Sequence, residues 1–300
     1  MADLEHLHPS TLPLLDLSDE ERKGRCRLKR WIPYAGARTA YERMEELFNE
    51  PKQQRPENLL LLAPTGNGKS FVLERFRDNH RPSDNPDGEA VTVPVLHTEV
   101  PEEPTLDALR VAILKKMFAP TNPRNNRADR RAEVFEVLSR VGVKVLLVDE
   151  LHNLLFASAL EREKTLAFLR AVGNELRINV VAAGTQDARR ILQSDAQLLN
   201  RFEVSRLPMW RDCEAFRVLL ASFEALLPLR QPSFLGEDDD LAKFLLAKSD
   251  GIIAELSKLL RRAAVHAIDT GAEAVTLKGL KALGFQSPSE RKEVVTDLDY

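Results

Sequence analysis

Up to about residue 210 the chain alternates two apolar patterns, and beyond that point it keeps only one. Largely apolar runs at 59–63, 91–100, 143–148 and 178–184, and a shorter one through Val204 and Leu207, predict strands, the first of them buried. Between them, apolar residues recur at helical spacing: over 39–48, at Phe71, Val72 and Phe76, at Leu106, Leu109, Ile113 and Met117 behind a Thr105 N-cap, and over 161–176. Strands alternating with helices imply a right-handed, mostly parallel sheet with helices on both faces, whose ligands bind beyond the carboxyl ends of the strands. Pro94 interrupts the second strand and puts it at or near a sheet edge.

From Asp212 onward the pattern is helical only. Phe216, Leu219, Leu220 and Phe223 form one apolar stripe, Leu241, Phe244 and Leu245 a second, and Ile252, Leu256, Leu259 and Ala263 a third, with Thr276 capping a fourth helix through Leu283. The chain therefore reads as an α/β nucleotide-binding domain over 31–210 and a small helical lid domain over 211–285. Residues 1–30 read as a partly basic arm docked on something else, and 286–300 as a polar, flexible tail.

One run carries a chemical signature. Residues 59–70, LLLLAPTGNGKS, break from a strand into a glycine-rich turn and start a helix. Gly66 and Gly68 let the backbone turn tightly and aim N–H groups inward, Lys69 reaches β- and γ-phosphates, and the Ser70 hydroxyl ligates Mg²⁺. Pro64, Thr65, Gly66, Asn67, Gly68, Lys69, Ser70 and Phe71 are thus the candidate phosphate cradle. The usual pattern has Gly where this chain has Ala63; that position serves the strand exit more than the phosphate, and Gly66 supplies much of the lost flexibility. Just upstream, Trp31, Ile32, Pro33 and Tyr34 form an apolar, aromatic patch in which Ile32 and Tyr34 suit either an adenine wall or core packing.

The second signature is VKVLLVDE at 143–150, roughly eighty residues after the phosphate loop. A buried strand ending in two carboxylates is what a nucleotide hydrolase needs: Asp149 to hold Mg²⁺ through Ser70 and water, Glu150 to orient and deprotonate the attacking water. The strand at 178–184 ends on Thr185, which reads as a γ-phosphate sensor or as a loop cap. His97 and Thr98 offer a similar choice. Arg201 lies after a helix and before the last strand, where it could reach a neighbouring subunit's γ-phosphate or sit in an intramolecular ion pair.

Composition narrows the class. The 300 residues are 43% hydrophobic with net charge −3, which excludes a uniformly basic nucleic-acid coat but not a local basic face. Cys26 and Cys213 make no metal or redox spacing and suit a reducing cytoplasm; no apolar run reaches membrane-spanning length, so no membrane partner is expected. Two basic clusters stand out. In RKGRCRLKR, 22–30, six of nine residues are basic, reading as a solvated linker or as a nucleic-acid or subunit contact. In NPRNNRADRR, Arg124, Arg127, Arg130 and Arg131 are the stronger candidates for phosphate-backbone contact on a loop at the nucleotide face, against a solvated helix start.

A phosphate loop, a DE strand, a strand ending in Thr, an Arg before the last strand and a helical lid, in that order, resemble the AAA+ ATPases over about residues 31–285. Within that class, RWIPYAGARTAYERMEELF, LLLLAPTGNGKS, VLLVDELHNLL and INVVAAGT look like the TniB family of transposition proteins, related to TnsC. The resemblance implies an AAA+ type P-loop three-layer fold with a parallel five-stranded sheet, and ATP and Mg²⁺ as cofactors. It further implies slow, partner-stimulated hydrolysis to ADP and phosphate, with Lys69 and Glu150 catalytic, Thr185 the first sensor and Arg201 a trans-acting finger. The implied partners are double-stranded DNA, a DDE transposase, a target-selection protein of the TniQ type, and further copies of the chain in a ring or helical filament. One departure is Ala254, where many such lids carry an Arg three residues after Gly251; Lys258 lies one turn later. The competing readings are a helicase loader or replication initiator, and a nucleotide-switched scaffold with negligible turnover.

Overall fold

Leu59, Leu60, Leu61 and Leu62 have no exposed surface, as a strand covered by helices on both faces requires. In the computed structural model, which describes residues 4–85, 91–117 and 127–296, they belong to β1 (Asn58–Leu62). The elements before it are α1 (Asp19–Arg27) and α2 (Ala35–Asn49). After it come α3 (Lys69–Asn79), β2 (Val95–Glu99), α4 (Leu106–Lys116), α5 (Arg127–Arg140), β3 (Val145–Asp149), α6 (Ala159–Leu176), β4 (Asn179–Gly184), α7 (Gln186–Gln193), α8 (Ala196–Leu199) and β5 (Phe202–Arg206). The remaining helices are α9 (Glu214–Glu224), α10 (Asp239–Ser249), α11 (Ile253–Asp269), α12 (Leu277–Ala282) and α13 (Pro288–Thr296).

These elements fall into two units. Ala35–Pro208 form a sheet unit whose five strands are all parallel, in the order β2-β3-β4-β1-β5. The sheet is the expected one, and β2 is indeed an edge strand, the Pro94 carbonyl accepting from the Lys144 and Val145 N–H groups where pairing with β3 begins. Register sets the site: Leu62 pairs with Gly184 and with Arg206, and Glu99 with Asp149. The carboxyl ends of β1, β3 and β4 therefore lie together. One core runs under them, from Leu60, Leu146 and Val180 to Leu109, Leu138 and Leu169 of the covering helices.

The helical unit combines residues up to Tyr34 with those from Met209 onward. Cys26 and Ile32 are buried in one core with Phe216, Leu220, Leu245, Leu259 and Leu260. The amino-terminal segment is thus a structural part of this unit. Its anchor is Arg22, which has no exposed surface: it donates to the Pro228 carbonyl at 2.7 Å and pairs with Glu273 and Asp19. The basic run is accordingly not uniformly a solvated linker. Within residues 286–300, read as a flexible tail, 288–296 form α13, opened by a reciprocal cap in which Ser287 N–H donates to Glu290 Oε2 (2.7 Å) and Glu290 N–H to Ser287 Oγ (3.1 Å).

Candidate nucleotide site

The turn after β1 takes the shape its glycines allow. Gly66 and Gly68 have φ of 74° and 89°, in the left-handed region where a side chain is strained. Gly68 is the N-cap of α3 and offers no side-chain acceptor to the first turn of the helix. Such a helix start attracts anions. Asn67 differs from its predicted part: its side chain is buried, and Nδ2 donates to the Leu207 (3.1 Å) and Pro208 (2.6 Å) carbonyls, latching the loop to the exit of β5.

Lys69 is 5% exposed and its Nζ donates to the carbonyls of Ala63 (3.1 Å) and Pro64 (3.3 Å). Burial lowers its pKa, opposed by the negative charges of Glu150 and Asp149. Ser70 Oγ donates to Asp149 Oδ2 at 2.6 Å, and Asp149 Oδ1 accepts from the Glu150 backbone N–H at 2.8 Å. A hydroxyl and a carboxylate in contact fit a Mg²⁺ that takes only one or two protein ligands and completes its shell from phosphate and water. No group of three or more His, Cys, Asp or Glu able to hold a metal alone occurs among the described residues.

Glu150 sits at φ 55°, ψ 34°, a left-handed conformation at the strand exit. Its Oε2 lies 3.1 Å from His152 Nε2. The sequence reading missed His152 in this position; the signal was its spacing of two from the carboxylate in DELH. Four buried polar atoms here have no protein partner: His97 Nε2 and Thr98 Oγ1 on β2, His152 Nδ1 after β3, and Thr185 Oγ1 after β4. Each such orphan costs about 1–3 kcal/mol. Thr185 occupies the N-cap position of α7 without making a cap bond, which removes the loop-cap reading. Orphaned hydroxyls and imidazoles around a buried lysine fit a polyphosphate and its metal.

Other predicted residues lie elsewhere. Arg201 is at the opposite end of β1 from the loop: its carbonyl accepts from Asn58 N–H (2.8 Å) and its Nη1 donates to Asn174 Oδ1 (2.7 Å), so it has no intramolecular ion pair. Ile32 and Tyr34 belong to the helical unit, Ile32 buried in its core and Tyr34 edge-to-face with Trp210 at 5.1 Å between centroids. Burial there raises the Tyr34 pKa to about 12. Of the arginine cluster, Arg124 lies outside the described residues and Arg127 opens α5. Arg130 is ion-paired with Asp107, and Arg131 with Glu175 (2.5 Å) while its guanidinium covers Phe135. These two are held by intramolecular partners on a helix, rather than free on a loop. Lys258 stands over the Phe285 ring at 5.7 Å.

A family model described as Bacterial TniB protein matches residues 22–212. No curated protein sequence matches. Among solved structures, the Aeropyrum pernix ORC2 protein in its ADPNP–ADP complexes superposes with a TM-score of 0.61 at 16% identity, over 86% of this chain and 70% of that one. The Aeropyrum pernix ORC1 protein in complex with DNA gives 0.56 at 17%, over 87% and 64%. Domain III of the Thermotoga maritima replication initiation protein DnaA gives 0.54 at 15%, over 94% and 99%. The shared architecture is the AAA+ fold with a C-terminal helical region.

Proposed function

The chain belongs to the TniB family of bacterial proteins, and from that premise we propose that it is an ATP-dependent, DNA-binding regulator of transposition. In this reading Mg·ATP sits at subunit boundaries, the subunits assemble on duplex DNA, and hydrolysis to ADP and phosphate dissolves the assembly. The observation that carries it is the 2.6 Å contact between Ser70 Oγ and Asp149 Oδ2, with Lys69 buried beside them and Glu150 next in chain. A phosphate loop alone binds; a phosphate loop with that carboxylate pair is equipped to hydrolyse.

When bound, Mg·ATP supplies the scissile phosphoanhydride and a cation that neutralises its charge. The protein's share is positional. Lys69 offers a buried ammonium whose bonded partners are neutral carbonyls. Ser70 and Asp149 would hold the metal. Glu150 takes a proton from the attacking water, with the His152 ring 3.1 Å from its Oε2 beside it. The Thr185 hydroxyl, buried without a protein partner, would be available to the terminal phosphate. Arg201, remote from its own loop, serves the site of a neighbouring copy, and hydrolysis then depends on oligomerisation.

The DNA reading draws on the family and on A. pernix ORC1, whose structure is a complex with DNA. A DDE transposase and a TniQ-type target-selection protein complete the proposed partners. Work in the cytoplasm is part of the same reading; among the described residues no helix is long and apolar enough to cross a membrane. The likeness to ORC and DnaA extends to the fold alone, so it does not favour replication initiation over the family match. Glu150 speaks against a scaffold without turnover.

The test compares oligomer size by light scattering and duplex affinity by anisotropy in ADP and in a non-hydrolysable ATP analogue. Both should rise with the analogue. If neither changes, the reading is wrong.

A further inference from the structure

Arg130 and Arg131 are held by carboxylates, and a second group of cations lies in the helical unit. The run 22–30 splits there. Arg22 is buried and Lys23 is paired with Asp269 and Glu20, but Arg25 and Arg27 are exposed on the last turn of α1 without a carboxylate partner. They meet α11, whose Arg261 Nη1 donates to the Arg27 carbonyl at 2.9 Å. Arg27, Lys258, Arg261 and Arg262 line one open groove of about 510 Å³. Arg261 also lines a second depression, with Arg25 and Arg30.

The bland explanation is a solvated helix surface. For Arg25 and Arg27 it is adequate, because cations suit a helix C-terminus. It does not cover α11. Lys258, Arg261 and Arg262 lie at spacings of three and four in the middle turns, where the helix dipole gives nothing and like charges one turn apart repel. Lys258 and Arg262 even share one ring, standing 5.7 and 5.6 Å from the centroid of Phe285, which fixes both heads on one side of the helix. Arg30 is crowded too: burial lowers its pKa, and the charge of Arg25 adds to the effect. Six cations for which no salt bridge within 4 Å is found among the described residues, with Asp269 as the acidic residue lining the groove, concentrate positive charge on a chain of net charge −3, an arrangement suited to a polyanion.

We propose that Arg25, Arg27, Arg30, Lys258, Arg261 and Arg262 form a phosphate-backbone contact for duplex DNA on the helical unit, made by α1 and α11 together. The inference rests on the DNA-binding reading above and names the surface for it. Contacts of this kind fix position without reading sequence, since guanidinium and ammonium groups meet phosphates and no flat aromatic is exposed among them to stack on bases.

The test uses the full chain, a mixed-sequence duplex and the ATP analogue, with affinity measured across a salt series. Arg27→Gln with Arg262→Gln should lower the magnitude of the slope of log affinity against log salt by about 2, one per lost phosphate contact. Arg25→Gln with Lys258→Gln, made separately, should do the same, which guards against one pair failing to fold; circular dichroism checks both. Two folded pairs with the parental slope would overturn the surface while leaving DNA binding intact. A parental chain that binds no duplex in any nucleotide state removes the DNA reading and this surface with it. Loss of binding to an acidic protein with an unchanged DNA slope would assign the face to a protein partner instead.

Discussion

His152 Nε2 and Glu150 Oε2 are 3.1 Å apart, so the carboxylate proposed as the base lies beside a side chain two residues along its own chain. The His152 ring is itself seated against Gly184: a Cβ there would lie 3.4 Å from Nδ1 and 3.3 Å from the His152 backbone nitrogen. Glu150→Gln keeps an oxygen for His152 and removes only the base. Its turnover should fall by about 10²-fold or more while nucleotide affinity is retained and DNA assemblies persist in ATP. Single-turnover hydrolysis and filter binding read this; rapid hydrolysis by the variant would strip Glu150 of its role.

The seat of His152 can be disturbed from behind. In Gly184→Ala the new methyl would also meet Ala188 Cβ at 2.7 Å, at the start of α7 just beyond Thr185. Overpacking of this kind costs about 1–3 kcal/mol. A lowered melting temperature together with a fall in kcat is expected, and a variant with parental kcat would show that His152 and Thr185 are not held by this contact.

Arg201 lends itself to complementation. Its side chain makes one hydrogen bond, to Asn174, so Arg201→Ala should fold normally. Alone it should lose about 10³-fold in turnover or more, the scale of an arginine finger. Mixed with Glu150→Gln, it should regain part of the lost activity, because one subunit then contributes the base and another the guanidinium. Mixtures no more active than their components would place Arg201 outside the reaction.

The Arg22 anchor makes a stability prediction with a definite pH sense. Glu273 is partly buried, which by itself raises its pKa, yet hydrogen bonds from Arg22 and the Arg230 backbone hold it below the ordinary 4.5. A depressed carboxylate stabilises the fold at pH above its unfolded pKa, and that contribution is lost as pH falls through the folded value. Glu273→Ala leaves Arg22 buried with only Asp19 and a carbonyl, and should cost about 3 kcal/mol near neutrality. Denaturant titrations at pH 7 and pH 3 should differ less for Glu273→Gln than for the parent.

Much of this was legible in sequence because it is local. The strand–loop–helix at 58–79, the DE strand and the sheet class follow from runs of a few residues. What was not legible is long-range pairing. Six basic residues in nine look solvated, and nothing near Arg22 announces Glu273, 251 residues away. Likewise Arg130 and Arg131 read as free until folding brings Asp107 and Glu175 to them. Helix α13 is a different case. Ser287, Pro288 and Glu290 spell a capping box with Pro at the first helical position, and polarity hid a signal that was present.

The two-part helical unit has a consequence for biosynthesis. The sheet unit lies wholly within 35–208, so once the ribosome has released that stretch it holds all its own strands and can fold. Residues up to Tyr34, made before the sheet unit, meet their partners only after it, and their packing is complete only when α11 and the Glu273 loop emerge. Until then Cys26, Ile32 and a buried-to-be Arg22 wait in the open. Closing that span costs little entropy per added residue, but it makes this junction form late, after the strands of the sheet unit are complete.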